Sequence, residues 1–331
     1  MKIPTRSLAV LLSAALSLVM LSTGAPASAA VTPPFDLLPA GPAPTTIPYA
    51  IGMKIFYGGR SYVVPALPQS SLVRVQPYHG NVLTSVFTIG VADFVGPAGM
   101  IGPTSAWHVF GGTDLPADAT LAGQLLKAGQ GEAQVVDTFT GRIVARHPIG
   151  GFGDVKAVGG EVLITVSNMA DPRQHEIWDP ATGATTVLGT ADYTVAQRRS
   201  PGWLWRPLGG GCSALVTVSA PTATGTTVCH PESGPPLLSF DGTTAVAVRG
   251  GRLVALTVAS GAVLSTGSMA AITGTNRAVQ PVQWETSSAY IAVASWDGQT
   301  ALVRCQVSSG ACARVVRSSI RPGVRGIVAG W

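Results

Sequence analysis

The side chains able to do acid–base or metal chemistry are few and scattered in this chain of 331 residues, which carries only 16 acidic residues. Its five histidines are far apart in sequence: His79, His108, His147, His175 and His230. No histidine pair has the H-E-x-x-H spacing of a zinc site, and no G-x-S-x-G sequence marks a nucleophile. His175 and Glu176 are neighbours on an expected strand, so their side chains should point to opposite faces. The sequence therefore favours a non-catalytic protein with no metal and no cofactor. A hydrolase or lyase is the alternative, and its site would lie at the mouth of a central channel.

A binding site is better supported, because arginine and tryptophan are the side chains that dominate interaction hot spots. Two segments combine such residues with other polar groups, and we expect both on one loop face. The predicted binding residues are Asp171, Arg173, His175, Arg198, Arg199 and Trp203. The alternatives are that Trp203 packs in the core and that Arg198 and Arg199 lie on a solvated loop.

All four cysteines lie in the last third of the chain. Cys305 and Cys312 flank a Ser-Ser-Gly turn between two strand-like runs, so a hairpin would set them opposite each other. Cys212 and Cys229 bracket a second pair of strand-like runs. We predict disulfides 212–229 and 305–312. A four-cysteine metal site is disfavoured, since no CxxC-like spacing is present.

The elements that must position these residues are short strands between tight turns. The chain has 40 glycines and 25 prolines and only 11% charged residues, a composition that disfavours helical and disordered proteins. Asp137 to Gly141 and Asp179 to Gly183 form two similar D-x-x-T-G turns between strand-like runs. Weaker copies end at Gly234, Gly261 and Gly310, so the turn recurs about every 42 residues, which is the spacing of propeller blades.

We therefore predict an all-β β-propeller with seven blades, six being the alternative count and a β-sandwich the alternative fold. An early hairpin from Met53 to Ala66 and the terminal run Gly326 to Ala329 would join to close the ring. The 27-residue interval between Gly234 and Gly261 has room for three strands, so that blade is expected to lack one.

Several of these runs resemble known propeller families. Val135 to Val144, VVDTFTGRIV, looks like YVTN and PQQ-like repeats, and Ile177 to Gly183, IWDPATG, looks like the end of a WD40 or TolB-like blade. The stretch from Trp284 to Cys312 resembles exported actinobacterial propeller proteins. The resemblance implies a propeller architecture and leaves the function open, because propellers include both enzymes and scaffolds.

The N-terminus indicates export. Lys2 and Arg6 precede an apolar run from Leu8 to Leu21 and an A-x-A cleavage site, so residues 1–30 are predicted to be a signal peptide. The predicted organisation is a Pro-rich leader at 31–49 and one propeller domain at 50–331. We expect a secreted or extracytoplasmic monomer that binds a protein or cell-envelope ligand, with no nucleic-acid partner and no integral membrane segment after cleavage.

Charge is uneven along the chain. Cleavage would remove two of the charges that make up the net +5, and no acid follows Asp297. Five arginines do follow it: Arg304, Arg314, Arg317, Arg321 and Arg325. They could form a patch for an anionic partner. The alternative, which we favour, is a set of solvated strand positions that protect a sheet edge from aggregation.

Overall fold

The computed structural model describes residues 31–52, 54–63, 70–78, 81–88, 98–101, 107–109, 117–119, 124–128, 130–137, 142–167, 173–198, 201–229, 234–319 and 327–329. The chain divides into the units Met1–Thr32 and Pro33–Trp331. The predicted signal peptide lies outside the described residues.

All regular structure in the described residues lies in the second unit and is almost entirely β. One short 3-10 helix spans Pro34–Leu37. The strands in chain order are β1 (Tyr49–Ile51), β2 (Lys54–Tyr57), β3 (Arg60–Val63), β4 (Ser70–Tyr78), β5 (Asn81–Thr88), β6 (Ala98–Ile101), β7 (Trp107–Val109), β8 (Ala117–Ala119), β9 (Gln124–Ala128), β10 (Gln130–Asp137), β11 (Ile143–Val158), β12 (Glu161–Ser167), β13 (Gln174–Trp178), β14 (Thr185–Gly189), β15 (Thr194–Gln197), β16 (Trp203–Gly209), β17 (Cys212–Thr217), β18 (Thr226–Cys229), β19 (Leu237–Leu238), β20 (Thr244–Arg249), β21 (Arg252–Thr257), β22 (Val263–Thr266), β23 (Arg277–Trp284), β24 (Ala289–Trp296), β25 (Gln299–Gln306), β26 (Cys312–Ser319) and β27 (Ile327–Ala329).

The strands form small antiparallel sheets of the kind that make propeller blades. Five sheets have four strands each: β27-β1-β2-β3, β4 to β7, β15 to β18, β19 to β22 and β23 to β26. The strands from β8 to β14 form one seven-stranded sheet. The predicted all-β propeller is confirmed.

The predicted blade count of seven, or six as the alternative, is wrong: five separate four-stranded blades are present in the described part of the chain. The reason lies in β11, which is sixteen residues long. Its first part pairs with β10 up to Phe152, and from Phe152 onward it pairs with β12. One continuous strand therefore joins strands that the repeat pattern assigns to different units.

The prediction that the blade between Gly234 and Gly261 lacks a strand is also wrong. That sheet has all four strands: β19, β20 and β21 lie within the interval, and the fourth, β22, follows Gly261. The terminal pairing is present: β1 pairs antiparallel with β27, with Ala50 opposite Val328. That this pairing closes the ring stays a prediction.

The core lies between the faces of neighbouring sheets, and it is made by strand residues that alternate between two sides. On β20, Ala245 and Ala247 pack towards the sheet β15–β18. Val246 and Val248 pack the other way, towards β23–β26. The inner strand β20 is therefore apolar on both faces, which explains its near-continuous apolar run in the sequence.

The Pro-rich leader is not a free extension. Phe35 is fully buried in the core between β19–β22 and β23–β26. The leader then runs beside β26, where the amide of Gly41 donates to the carbonyl of Arg314 and the amide of Arg314 donates to the carbonyl of Pro39, both at 2.9 Å. Part of the outer edge of this sheet is thus covered by the chain itself.

Candidate functional site

Two opposite ends of the sheets carry the polar loops. We define the first-turn end as the end of a sheet at which its first and second strands connect. An example is the connection at residues 198–202 between β15 and β16. The end where the second and third strands connect is the second-turn end, as at residues 250–251 between β20 and β21.

At the first-turn end, two adjoining loops carry Trp203, Phe240 and Arg198; we call these three residues the Trp203–Phe240 patch. Trp203 is half-buried at the start of β16, and Phe240 has 41% of its surface exposed on the turn between β19 and β20. The indole of Trp203 lies against Gly242 of that turn. Gln197, opposite Trp203 in the ladder, reaches the carbonyl of Ser239 at 3.5 Å. The two loops are therefore in contact although they are far apart in sequence.

The turn that presents Phe240 is held by its own side chains. Asp241 Oδ1 accepts hydrogen bonds from the hydroxyl of Ser239 at 2.6 Å and from the amide of Thr243 at 3.0 Å. The hydroxyl of Ser239 in turn accepts from the amide of Thr244 at 3.0 Å. These hydrogen bonds lower the pKa of Asp241 below its usual value, and the bond from Ser239 has the largest effect. The turn therefore keeps its shape, and its exposed aromatic ring is presented on a fixed backbone.

Arg198 lies in the loop beside this patch. Its carbonyl accepts a 2.7 Å hydrogen bond from the amide of Gly159, which belongs to the turn between β11 and β12. Gly159 also lies against Pro201 and Gly202, where an added methyl group would meet the carbonyl oxygen of Pro201 at 2.7 Å. The loop is therefore packed closely against the preceding sheet.

His175, on β13, is buried, with only 3% of its surface exposed, and faces the segment before β15. Its Nδ1 lies 3.2 Å from the hydroxyl of Thr165 and its Nε2 lies 3.4 Å from Asp192 Oδ1 without a well-directed hydrogen bond. Burial lowers the pKa of this imidazole, and Asp192 only partly offsets the effect. His175 is therefore neutral at pH 7 and sits inside the packing rather than on a contact surface.

The structure does not bring the predicted binding residues together on one face. Arg173 precedes Gln174, which pairs with Val166 at the second-turn end of β12. Arg198 contacts Gly159 at the first-turn end of the same strands. The expectation of a single shared loop face is therefore wrong, because the two segments belong to different kinds of connection: one joins second and third strands, the other first and second. Asp171 and Arg199 lie outside the described residues.

Glu176 points to the opposite face from His175, as expected for neighbours on a strand. Its Oε1 lies 3.0 Å from His147 Nε2, and the His147 ring stacks on Trp178 with centroids 5.3 Å apart. This pair and the His175 contacts therefore lie on separate sides of β13 and do not form one catalytic group.

Both predicted disulfides are confirmed: Cys212 is bonded to Cys229, and Cys305 to Cys312. In each case the two cysteines are directly opposite in an antiparallel ladder. The local hairpins position them, which is why sequence spacing sufficed to pair them.

The C-terminal arginines are largely neutralised within the molecule where they are described. Arg304 forms a bidentate pair with Glu285, and Arg314 and Arg317 both contact Asp36 of the leader. This observation favours the edge-protecting interpretation over an anionic-partner patch for these three. Arg321 and Arg325 lie outside the described residues.

Among the residues that the structure describes, no group of three or more histidine, cysteine, aspartate or glutamate side chains is arranged to hold a metal ion. No helix in that part of the chain is long and apolar enough to cross a membrane. The alternative of a propeller hydrolase or lyase stays a prediction.

Comparison with known proteins finds relatives in fold only. No protein-family model matches the chain, and no curated protein matches it. A structure of the Mitotic Checkpoint Complex contains a chain that is 10% identical, with 97% of this chain and 90% of that chain covered and a TM-score of 0.54. The computationally designed Ika8 protein is 13% identical, with 86% and 87% covered and a TM-score of 0.51. The β-propeller domain of Cps50 (Swd1) from Myceliophteria thermophila is 11% identical, with 63% and 73% covered and a TM-score of 0.44.

The two likenesses with a TM-score above 0.5 are to propellers, and they show the fold alone. They disfavour the alternative of a β-sandwich. The resemblance to TolB-like, YVTN/PQQ-like and exported actinobacterial propellers stays a prediction.

Sequence reasoning missed Phe240 and the arginine pair Arg249 and Arg252. Phe240 was inside a segment interpreted only as an Asp-Gly turn, and nothing local indicates that this turn meets Trp203. The sequence Arg249-Gly250-Gly251-Arg252 did carry a usable signal, because a two-glycine hairpin turn places the two flanking arginines opposite each other.

Proposed function

We propose that the protein is an exported, non-catalytic propeller that binds another protein through the Trp203–Phe240 patch. The observation that carries this proposal is the patch itself: an exposed phenylalanine on a turn held by its own hydrogen bonds, a half-buried tryptophan whose indole lies against Gly242 of that turn, and Arg198 on the adjoining loop. Aromatic and arginine side chains are enriched at protein interfaces, and a preorganised backbone lowers the entropic cost of binding.

The fold supports the same proposal. WD40-like propellers generally bind proteins, and the neighbour with a TM-score of 0.54 comes from a structure of the Mitotic Checkpoint Complex, an assembly of several proteins. We propose a monomer that engages a protein or another cell-envelope ligand. Arg173, at the other end of the sheets, is a second candidate contact.

Export rests on two observations. The first is the predicted signal peptide at residues 1–30. The second is the pair of disulfides, which persist in oxidising compartments. We propose a secreted or cell-surface location on these grounds.

The test is capture from culture medium on immobilised protein lacking residues 1–30, with bound proteins quantified by mass spectrometry. Wild type is compared with Phe240→Ala and Arg198→Ala. Leu208→Ala is the matched control, because Leu208 is about half exposed near the opposite end of the strand that begins with Trp203.

The proposal expects at least one protein whose recovery falls about tenfold or more in Phe240→Ala and Arg198→Ala and is unchanged in Leu208→Ala. Equal recovery by all four proteins would remove the Trp203–Phe240 patch as the binding surface. Circular dichroism of each variant separates loss of binding from loss of fold.

A further inference from the structure

Two arginines lie directly opposite each other at the second-turn end of the sheet β19–β22. β20 ends at Arg249 and β21 begins at Arg252, and the two residues pair across the ladder. The intervening Gly250 and Gly251 have φ values of 56° and 67°, as a tight two-residue hairpin turn requires. Side chains paired in this way point to the same face of the sheet.

That face is turned towards the sheet β15–β18. Ala247 and Val254 form the preceding pair on the same face, and both pack in the core shared with that sheet. Arg249 follows the same direction: its Nη2 donates a 2.7 Å hydrogen bond to the carbonyl of Cys229 on β18. The guanidinium of Arg249 is therefore fixed across the gap between the two sheets.

This arginine pair has no charge partner among the described residues. The Nε of Arg249 is buried and has no hydrogen-bond partner, whereas Arg252 is exposed. Like charges directly opposite each other destabilise a sheet, and a buried donor without an acceptor adds to that cost. In the neighbouring sheet β23–β26, Arg304, Arg314 and Arg317 are each paired with an acidic side chain. Arg249 and Arg252 differ from them in this respect.

We propose that Arg249 and Arg252 form a binding site for a phosphate-type dianion. Two guanidinium groups supply two positive charges and several donors whose fork geometry fits phosphate oxygens. A dianion bound at the exposed ends of the two guanidinium groups would offset both charges. The disulfide between Cys212 and Cys229 ties β18 to β17, which holds in place the carbonyl that orients Arg249.

This site is at the opposite end of the sheets from the Trp203–Phe240 patch, so it does not depend on the proposed protein partner. The dianion has two sources, free inorganic phosphate or a phosphate monoester group on a larger molecule. Both present the same oxygens to the two arginines.

The test compares thermal unfolding of wild type and Arg252→Gln in sodium chloride and in inorganic phosphate at pH 7.5 and equal ionic strength. In chloride, Arg252→Gln should unfold at the same or a higher temperature than wild type, because one of two opposed charges has been removed. In phosphate, the wild-type midpoint should rise and saturate, and the variant should lose that rise.

The matched control is Arg173→Gln, another exposed arginine at the second-turn end, which should keep the full phosphate effect. A variant Arg252→Gln that unfolds at a lower temperature in chloride, or that keeps the full phosphate effect, would overturn the proposal.

Calorimetric titrations with inorganic phosphate, glycerol phosphate and acetate then separate the sources. We expect phosphate binding to weaken about tenfold or more in Arg252→Gln. If glycerol phosphate binds with an affinity close to that of inorganic phosphate, the ligand is a phosphate group on a larger molecule. If glycerol phosphate does not bind, the ligand is the free ion. Acetate binding as tightly as phosphate would contradict a dianion site.

Discussion

At the scale of single residues, His175 shows how burial rather than a catalytic role determines the behaviour of a histidine. The groups around it are the hydroxyl of Thr165, the carboxylate of Asp192, the ring of Tyr193, and the more distant cations of Arg173 and Lys156. The balance of these effects lowers the pKa of the imidazole in the folded protein. Unfolding restores the ordinary value of about 6.5.

A pH dependence follows. Because the pKa of His175 is lowered in the folded state, the unfolded state binds the proton at higher pH than the folded state does. The contribution of His175 to the free energy of unfolding is therefore fully present above about pH 6.5 and decreases as the pH falls below it. We expect the difference in free energy of unfolding between wild type and His175→Gln to shrink between pH 7.5 and pH 5. Urea titrations at several pH values measure it. A difference that stays constant or grows towards acid pH would contradict this account.

At the scale of elements, the leader is the clearest case in which a segment without regular strands stabilises the fold. Phe35 is fully buried between two sheets, whereas Leu37, two residues later, is 72% exposed. We expect Phe35→Ala to cost about 3–5 kcal/mol of unfolding free energy and Leu37→Ala less than about 0.5 kcal/mol. Chemical denaturation of both variants measures the contrast, and equal effects would show that the leader does not pack as described.

The tight turn at Gly250–Gly251 provides a second element-scale contrast. Both glycines have positive φ, but a methyl group on Gly251 would overlap the carbonyl oxygen of Ile272, whereas no atom lies near one on Gly250. We expect Gly250→Ala to cost about 1 kcal/mol and Gly251→Ala to cost clearly more, at least about 2 kcal/mol. Denaturant midpoints of the two variants give the comparison, and the reverse order would be inconsistent with the packing.

Element boundaries were predictable where the pattern was local. Glu161–Ser167 and Thr244–Arg249 are strands because uninterrupted apolar and β-branched runs lie beside glycine turns. β11 was not predictable, since Pro148 and the glycines after it read as strand breakers. Pairing with β10 and β12 keeps this strand continuous, and such long-range pairing is invisible in a local pattern.

At the scale of the whole molecule, the disulfides were predictable and the Trp203–Phe240 patch only in part. Arg198 and Trp203 are close because one hairpin joins them, so a single segment of sequence sufficed. The turn that carries Phe240 meets Trp203 through Gly242, by the packing of one sheet on the next, which no sequence spacing reveals. The same packing separates Arg173 from Arg198.

Each disulfide should stabilise the folded protein by an amount that increases with the length of the loop that it closes. The sequence separations are 17 for Cys212–Cys229 and 7 for Cys305–Cys312. In the chain-entropy treatment these loops correspond to about 3 and about 2 kcal/mol. We expect the double variant Cys212→Ala with Cys229→Ala to lose more unfolding free energy than the double variant Cys305→Ala with Cys312→Ala. The opposite order in urea titrations would show that packing around the buried Cys305 outweighs loop closure.

The central claim is that the first-turn end of the sheets, at Phe240, contacts another protein. The most direct measurement is photo-crosslinking in culture medium, with a photoreactive amino acid placed at position 240 in one protein and at position 208 in another. The account predicts a discrete crosslinked partner, identified by mass spectrometry, at position 240 and none at position 208. Crosslinks of the same partner at both positions, or at position 208 alone, would contradict it.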